Sequence, residues 1–242
     1  MTTPAEPPVI TVVVATYNRA HTLSRALGSL QAQDLPRDQF EVLVVDDGST
    51  DNTVEILRRY QDLICVLRQP HLGLPVACSS GLSRARGRYF ARLDSDDFAE
   101  PSWLRLELKE LELHPDACCV SSDYVEVRED GSRIHRPIQP GNLYTRMACG
   151  TLFRTQAVRS AGGFRPFYWE EYDLYLRLAP MGRFLHLNQP LYSYRSHPTS
   201  MTADLQRRRE GWRELAQQWG ASFLRTAGTH PELEEALTES TA

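Results

Sequence analysis

The sequence predicts an α/β protein with a mostly parallel, doubly wound central sheet flanked by helices. Strand-like and helix-like segments alternate through the first half with short connections between them. The strand-like runs are almost continuously apolar, as strands covered on both faces are. Three of them end in polar or acidic residues, on the edge where open α/β sheets bind ligands.

The elements follow in order. "VITVVVA" (9–15) is a β-branched first strand, and Leu23, Ala26, Leu27 and Leu30 recur at helical spacing across 20–31. "FEVLVVDD" (40–47) is a second strand ending in acids. "GSTDNTVEILRRY" then turns into a helix that Ser49, Thr50 or Asp51 can cap. "ICVLRQ" (64–69) reads as a third strand, 74–85 as a helix and 89–93 as a fourth strand. The second half changes character. "PSWLRLELKELELH" (101–114) is an amphipathic helix with proline in its first turn, "CCVSSDYVEV" is strand-like, and "EDGS" (129–132) is a turn. "TLFRTQAVRSAGGF" gives a strand, a short helix and a glycine stop. "EEYDLYLRLAPMG" gives a helix with Leu174, Tyr175 and Leu178 inward. "RFLHLNQPLYSYR" is expected to be two strands turning at 188–190, followed by a helix over 203–225 and a frayed acidic tail. The expected organisation is a flexible N-terminus (1–8), one domain (9–226) and an acidic tail (227–242).

Composition narrows the function. The chain has 242 residues, with 41% hydrophobic, 24% charged and a net charge of -4, so nucleic-acid binding is not expected. No run approaches the roughly 20 apolar residues of a membrane span, and "MTTPAEPP" is too polar for a secretory signal. Five scattered cysteines without C-x-x-C spacing suggest reduced thiols and a cytoplasmic protein rather than a zinc site. Local basic bunches, Arg84, Arg86 and Arg88 and again Arg207, Arg208 and Arg209, suit phosphate or solvent in the first case and a solvated helix face in the second.

The strand ends carry the chemistry. The first strand ends in Thr16, Tyr17 and Asn18, the second in Asp46 and Asp47, and the fourth in Asp94, Ser95, Asp96 and Asp97. Tyr17 offers a flat face to a base, and Asp46 or Asp47 can accept from a base N–H or a ribose hydroxyl. Asp94 and Asp96, two apart on an extended strand, point the same way and suit Mg²⁺ or Mn²⁺ shared with a diphosphate. Asp at a strand end is also an ordinary turn residue, so each end alone is weak. Neither a G-x-x-x-x-G-K-[ST] loop nor a G-x-G-x-x-G after the first strand is present, against a kinase or a dinucleotide dehydrogenase.

"VVVATYNRAHTLSRALGSL", "EVLVVDDGSTDNT", "GRYFARLDSDDFAEPSWL" and "GGFRPFYWEEYDLYLRLA" resemble, in that order, the motifs of the inverting family 2 glycosyltransferases. The resemblance runs from about 9 to 197 and implies a single GT-A-like (Rossmann-like) domain, with a nucleotide-binding half (about 9–97) and an acceptor half with a C-terminal helix (98–226). It implies transfer of a sugar from a nucleotide-diphosphate donor, UDP being the family's frequent nucleotide, to a saccharide or other hydroxyl acceptor in polysaccharide or glycoconjugate synthesis. By the same resemblance Asp94-Ser95-Asp96 is the D-x-D motif. Asp96 binds the metal, Asp94 touches the ribose or binds the metal through water, and His197 is a candidate metal ligand. Thr16, Tyr17, Asn18 and Asp46 or Asp47 bind the nucleotide. Glu171 matches the general base, a glutamate where aspartate is usual, with Glu170 as the alternative. Cys78 and Ser79 replace the family's frequent Arg-Asn pair, leaving His71, Arg84 or Arg86 as substitutes. The rivals are an inactive donor-binding module and a sugar-nucleotide pyrophosphorylase, which would carry a glycine-rich basic loop near its start. Peripheral membrane contact stays open, since glycan-building enzymes often work beside a bilayer.

Overall fold

The computed structural model describes residues 7–238, so most of the N-terminus expected to be flexible and the last four residues of the acidic tail lie outside the described residues. Strand β1 (Ile10–Thr16) is flanked by β2 (Phe40–Asp46) and β4 (Tyr89–Arg92), and β3 (Ile64–Arg68) lies outside β2, all four parallel. Helices α1 (Leu23–Gln31), α2 (Thr53–Arg59) and α3 (Leu74–Arg84) make the crossovers.

Both faces of this sheet are covered, which explains the unbroken apolar runs. Val12, Val14, Val42 and Val44 pack with Leu23, Leu27 and Leu30 of α1. The alternate residues Val13, Ala15, Leu43 and Val45 pack with Ala77, Cys78 and Leu82 of α3. The period-two alternation of a strand divides one sequence between two cores.

Beyond β4 the sheet becomes mixed. The full order is β3-β2-β1-β4-β8-β6-β9-β5, where β5 is Phe98–Ala99, β6 Ala117–Val127, β8 Thr151–Arg154 and β9 Arg183–Arg195. Strand β8 runs antiparallel between β4 and β6, β9 runs parallel to β6, and β7 (Arg133–Arg136) pairs with the far half of β6. Helix α4 (Trp103–Leu113) joins the α1 side. Helices α5 (Thr155–Ser160) and α6 (Glu170–Leu178) join the α3 side, with Leu174, Tyr175 and Leu178 inward as expected.

Three expectations change. The segment 183–195 is one strand, not a pair, because it follows β6 in a single parallel direction. A register shift opposite Ser122 and Asp123 loops out Asn188 and Gln189, and Pro190, which has no N–H to donate, sits at that irregularity. The long C-terminal helix ends early: α7 (Leu205–Trp219) stops at Gly220, whose φ of 82° breaks it from α8 (Ala221–Ala227). The acidic tail does not fray over its described part. Helix α9 (Pro231–Thr238) buries Leu233 and Ala236, and its Glu232 and Glu235 pair with Arg208 and Arg209 of α7. The second basic cluster is therefore largely an interhelix contact rather than a solvated face.

Candidate active site

The carboxyl ends of β1, β2 and β4 and the start of α6 surround a cavity of about 370 Å³. Its walls include Thr16, Tyr17, Asp47, Asp94, Ser95, Asp96, Glu170 and Glu171. Residues far apart in sequence meet because β4 ends beside β1, while Gly150 at the start of β8 ties the acceptor half to β4 through its N–H bond to the Arg92 carbonyl, 2.9 Å. Gly150 has φ +73°, and a Cβ there would lie 2.6 Å from the Tyr192 ring, so the close turn requires glycine.

On the nucleotide side, Tyr17 is 38% exposed and stacks on His71, with centroids 3.8 Å apart and planes 16° apart. Asp47 holds that platform. Its carboxylate accepts from Gln69 Nε2 (2.7 Å), Leu72 N (3.0 Å) and Gly73 N (2.9 Å), and lies 2.8 Å from His71 Nδ1. Asp46 does not line the cavity: it is buried, accepts from Ser49 N (2.9 Å) and faces Arg68 at 3.4 Å. Asn18 is also outside the lining. With φ 51°, it accepts from Thr50 N (2.8 Å) and Asp51 N and donates its own N–H to Ser49 Oγ, tying two loops together. Thr16 Oγ1 is different, being a buried hydroxyl in the cavity wall with no hydrogen-bond partner among the described residues.

The acid cluster at the end of β4 separates into three environments. Asp97 is fully buried, accepts from the Tyr192 hydroxyl and from Arg195 N (2.7 Å), and burial holds its pKa well above the usual carboxylate range. Asp94 receives a forked pair of bonds from Arg92, Nε at 2.7 Å and Nη2 at 3.0 Å. Asp96 lies 3.1 Å from His197 Nε2 and 3.4 Å from Arg19 Nε. Asp96 and His197 thus converge. Carboxylate oxygen with imidazole nitrogen suits Mn²⁺ and, through the carboxylates, Mg²⁺. A second grouping, Asp94, Asp97 and Cys149, lies within 4.8 Å. Burial pushes the Cys149 thiol well up and keeps it protonated, and a thiol is too soft for these ions, so this grouping does not suit them.

On the acceptor side, both glutamates begin α6. Glu170 accepts from Arg92 Nη1 at 2.7 Å, and burial raises its pKa while Arg92 opposes the rise. Glu171 accepts from Ala148 N at 3.0 Å. Burial first, and then the charge of Glu170, push its pKa up to about 8.

Some expectations fail on strand direction alone. Arg86 and Arg88 precede β4, so they sit at the opposite end of that strand from Asp94. Arg86 pairs with Glu41 and Arg88 with Glu112, and neither lines the cavity. His71 does line it. The sequence motifs do not single out Arg92, although an arginine closing the apolar run "YFAR" is itself a signal: a charge in a buried strand needs a partner.

The carboxyl edge of this α/β sheet joins the acidic strand end Asp94-Ser95-Asp96 to the carboxylates of Glu170 and Glu171 around one cavity. The family model "Glycosyl transferase family 2" matches residues 11–170, and the chain belongs to that family. It is 30% identical over 198 residues to a chondroitin synthase of Pasteurella multocida (strain Pm70), covering 77% of this chain but 20% of the synthase. It is 27% identical over 222 residues to the amylovoran biosynthesis glycosyltransferase AmsE of Erwinia amylovora, covering 84% and 80%. Among solved structures, the mannosyltransferase PcManGT from Pyrobaculum calidifontis in complex with GDP-Man and Mn²⁺ superposes with a TM-score of 0.69 at 21% identity, covering 98% and 81%. S. aureus TarS 1-349 in complex with UDP-GlcNAc gives 0.68 at 20%, covering 89% and 70%. These two likenesses establish the GT-A fold. Among the described residues no helix is long and apolar enough to cross a membrane.

Proposed function

We propose that this chain transfers a sugar from a nucleoside-diphosphate donor to an acceptor hydroxyl, with inversion and with a divalent cation, Mn²⁺ or Mg²⁺. The observation that supports this best is a single cavity joining Asp94-Ser95-Asp96 to Glu170-Glu171. Asp96 with His197 would hold the cation, with Asp94 beside it, and the cation would neutralise the departing diphosphate. The Tyr17–His71 stack supplies a flat surface for the base. Asp47 keeps that surface in place, Asn18 and Asp46 brace the loops behind it, and Thr16 Oγ1 and Ser95 offer hydroxyls to the donor.

Glu171 is the proposed base. A pKa near the working pH is where a general base is most effective. Its carboxylate takes the proton of the acceptor hydroxyl as that oxygen bonds to the anomeric carbon. The bond from that carbon to the diphosphate oxygen breaks, and the nucleoside diphosphate leaves with its electron pair. Relatives named for chondroitin and amylovoran synthesis support a polysaccharide or glycoconjugate product, and the solved relatives, bound to UDP-GlcNAc and GDP-Man, make UDP and GDP the nucleotides to test. Five unpaired cysteines, four of them buried, suit a reducing compartment such as the cytoplasm.

Thermal unfolding with UDP or GDP, with and without Mn²⁺, tests the donor side, because a ligand that binds the native state raises the midpoint. One nucleotide should stabilise the protein only with Mn²⁺, and Asp96→Asn should lose that gain without lowering the ligand-free midpoint. Undiminished Mn²⁺-dependent stabilisation in Asp96→Asn would remove Asp96 from the metal site. Hydrolysis or transfer from the matching nucleotide sugar should accompany binding. Turnover that needs a nucleoside triphosphate or pyrophosphate would instead identify a pyrophosphorylase, and binding without turnover an inactive module.

A further inference from the structure

We propose that Arg92 is the positioning residue that divides roles among the carboxylates of this site, orienting Asp94 toward the donor and occupying Glu170 so that Glu171 alone accepts the proton. This rests on the glycosyl-transfer reading above and extends it to a residue outside the motifs.

Arg92 closes β4, is 3% exposed, and spans the two halves of the domain. One planar guanidinium makes three bonds: Nε and Nη2 fork onto the two oxygens of Asp94, and Nη1 reaches Glu170 Oε1. The fork fixes the plane of the Asp94 carboxylate while leaving each oxygen a second lone pair. A lysine could supply the charge but not this geometry. The backbone of Arg92 acts on the other glutamate. Its carbonyl accepts from Gly150 N, and the same short loop presents Ala148 N to Glu171 Oε2. Glu170 is therefore held by the side chain of Arg92, and Glu171 by a loop pinned to its main chain.

The charge count leads to the same assignment. Asp94, Glu170 and Glu171 surround one guanidinium, while Arg19, the other arginine lining the cavity, faces Asp96. A buried carboxylate is tolerated as an ion only with a partner. Arg92 supplies that partner to the buried Glu170 and to the partly exposed Asp94, and Glu171, whose one hydrogen-bond donor among the described residues is Ala148 N, is left to hold or release the proton. The groups that act on Glu171 are Glu170, Arg92 and Asp94, with Tyr124, Cys149 and Tyr172 affected by it in turn. Two adjacent glutamates at one helix start thereby acquire different roles without differing in chemistry.

The test uses the whole chain carrying Arg92→Lys, Arg92→Gln and the pair Arg92→Gln with Glu170→Gln. Calorimetry with Mn²⁺ and UDP or GDP reads the hold on Asp94, and steady-state kinetics across pH read the base. Arg92→Lys should weaken both Mn²⁺-dependent nucleotide binding and kcat/KM by about 10–100-fold, the usual cost of losing a partner that orients a ligand. Arg92→Gln should also move the acid limb of the pH profile upward, since a cation near Glu171 is gone. Adding Glu170→Gln to Arg92→Gln should lower kcat/KM no further and should bring the acid limb back down, because the Glu170 charge that raises the Glu171 pKa is then gone as well. If Arg92→Gln does not fold, Arg92→Lys and the uncharged pair decide, as neither buries an unpaired glutamate. Wild-type binding and kcat/KM in Arg92→Lys and in the pair would show that Arg92 only packs. Should the wild-type protein bind nucleotide yet transfer no sugar, the reaction fails, and the binding arm alone still decides the hold on Asp94.

Discussion

Two acidic strand ends, Asp46-Asp47 after β2 and Asp94-Ser95-Asp96 after β4, look alike in sequence and do opposite things in the fold. The first pair is saturated by its own chain: Asp47 has four partners between Gln69 and Gly73, and Asp46 meets Ser49 N and Arg68. The second group joins Glu170 and Glu171, and a cavity wall there leaves more carboxylates than cations. A saturated acid shapes a wall, whereas an under-compensated one is available for chemistry. The difference lies in what holds each acid, backbone N–H groups of the following loops for Asp46 and Asp47 and the side chains of Arg92, Arg19 and His197 for Asp94 and Asp96, not in residue type.

The largest expected effect falls on the under-compensated side. Glu171→Gln keeps size and shape and removes the proposed proton acceptor, so kcat should fall by about 10²–10⁴-fold, the usual worth of a positioned base. Mn²⁺-dependent nucleotide affinity should hardly change. Glu170→Gln should cost less; the reverse ranking in kinetic assays would place the base one residue earlier. Because Glu171 must be ionised to act, wild-type kcat/KM should rise with pH toward about 8.

Stability should respond in the opposite sense. The folded pKa of Glu171 is raised from 4.5 to about 8, so the folded state keeps a proton that the unfolded chain releases. This group's contribution is most favourable below 4.5, is lost as pH rises toward about 8, and is constant above it. Denaturation midpoints should show Glu171→Gln gaining on wild type across that window, by at most ~1.4 kcal/mol per pH unit. A pH-independent difference would mean that Glu171 is not buried as an acid.

On the saturated side the cost moves to folding. Asp47→Asn replaces an acceptor with an amide donor facing the N–H groups of Leu72 and Gly73, and should lose about 1–3 kcal/mol in urea unfolding. Asp96→Asn should be nearly neutral in the same assay. Equal losses for the two would erase the contrast between wall and site. Tyr17→Ala should weaken nucleotide binding by about 1–3 kcal/mol, the scale of base–aromatic stacking. Unchanged calorimetric affinity would leave the Tyr17–His71 stack as packing.

Much of this was legible in advance where one segment carries its own signal. The parallel direction of β1, β2, β3 and β4, the inward face of α6 and the acids at the strand ends all follow from local periodicity and helix–strand alternation. Three failures share one cause. Whether 183–195 turns back depends on β6, the helicity of 231–238 is supported by packing against α7, and the fate of Arg86 depends on which end of β4 faces the cavity. Each needs a partner distant in sequence.

The sequence by itself determined the α/β class, the edge of the sheet that carries the site and the candidate acids, because hydrophobic period and residue chemistry are properties of single segments. Only the tertiary structure decided which acids remain available. Asp46, Asp97 and Glu170 are carboxylates like Asp96 and Glu171. Their different fates come from donors such as Ser49, Tyr192 and Arg92. Burial removes water as the alternative partner, so the few protein donors within hydrogen-bonding distance determine which carboxylate stays ionised, which is saturated and which can take a proton.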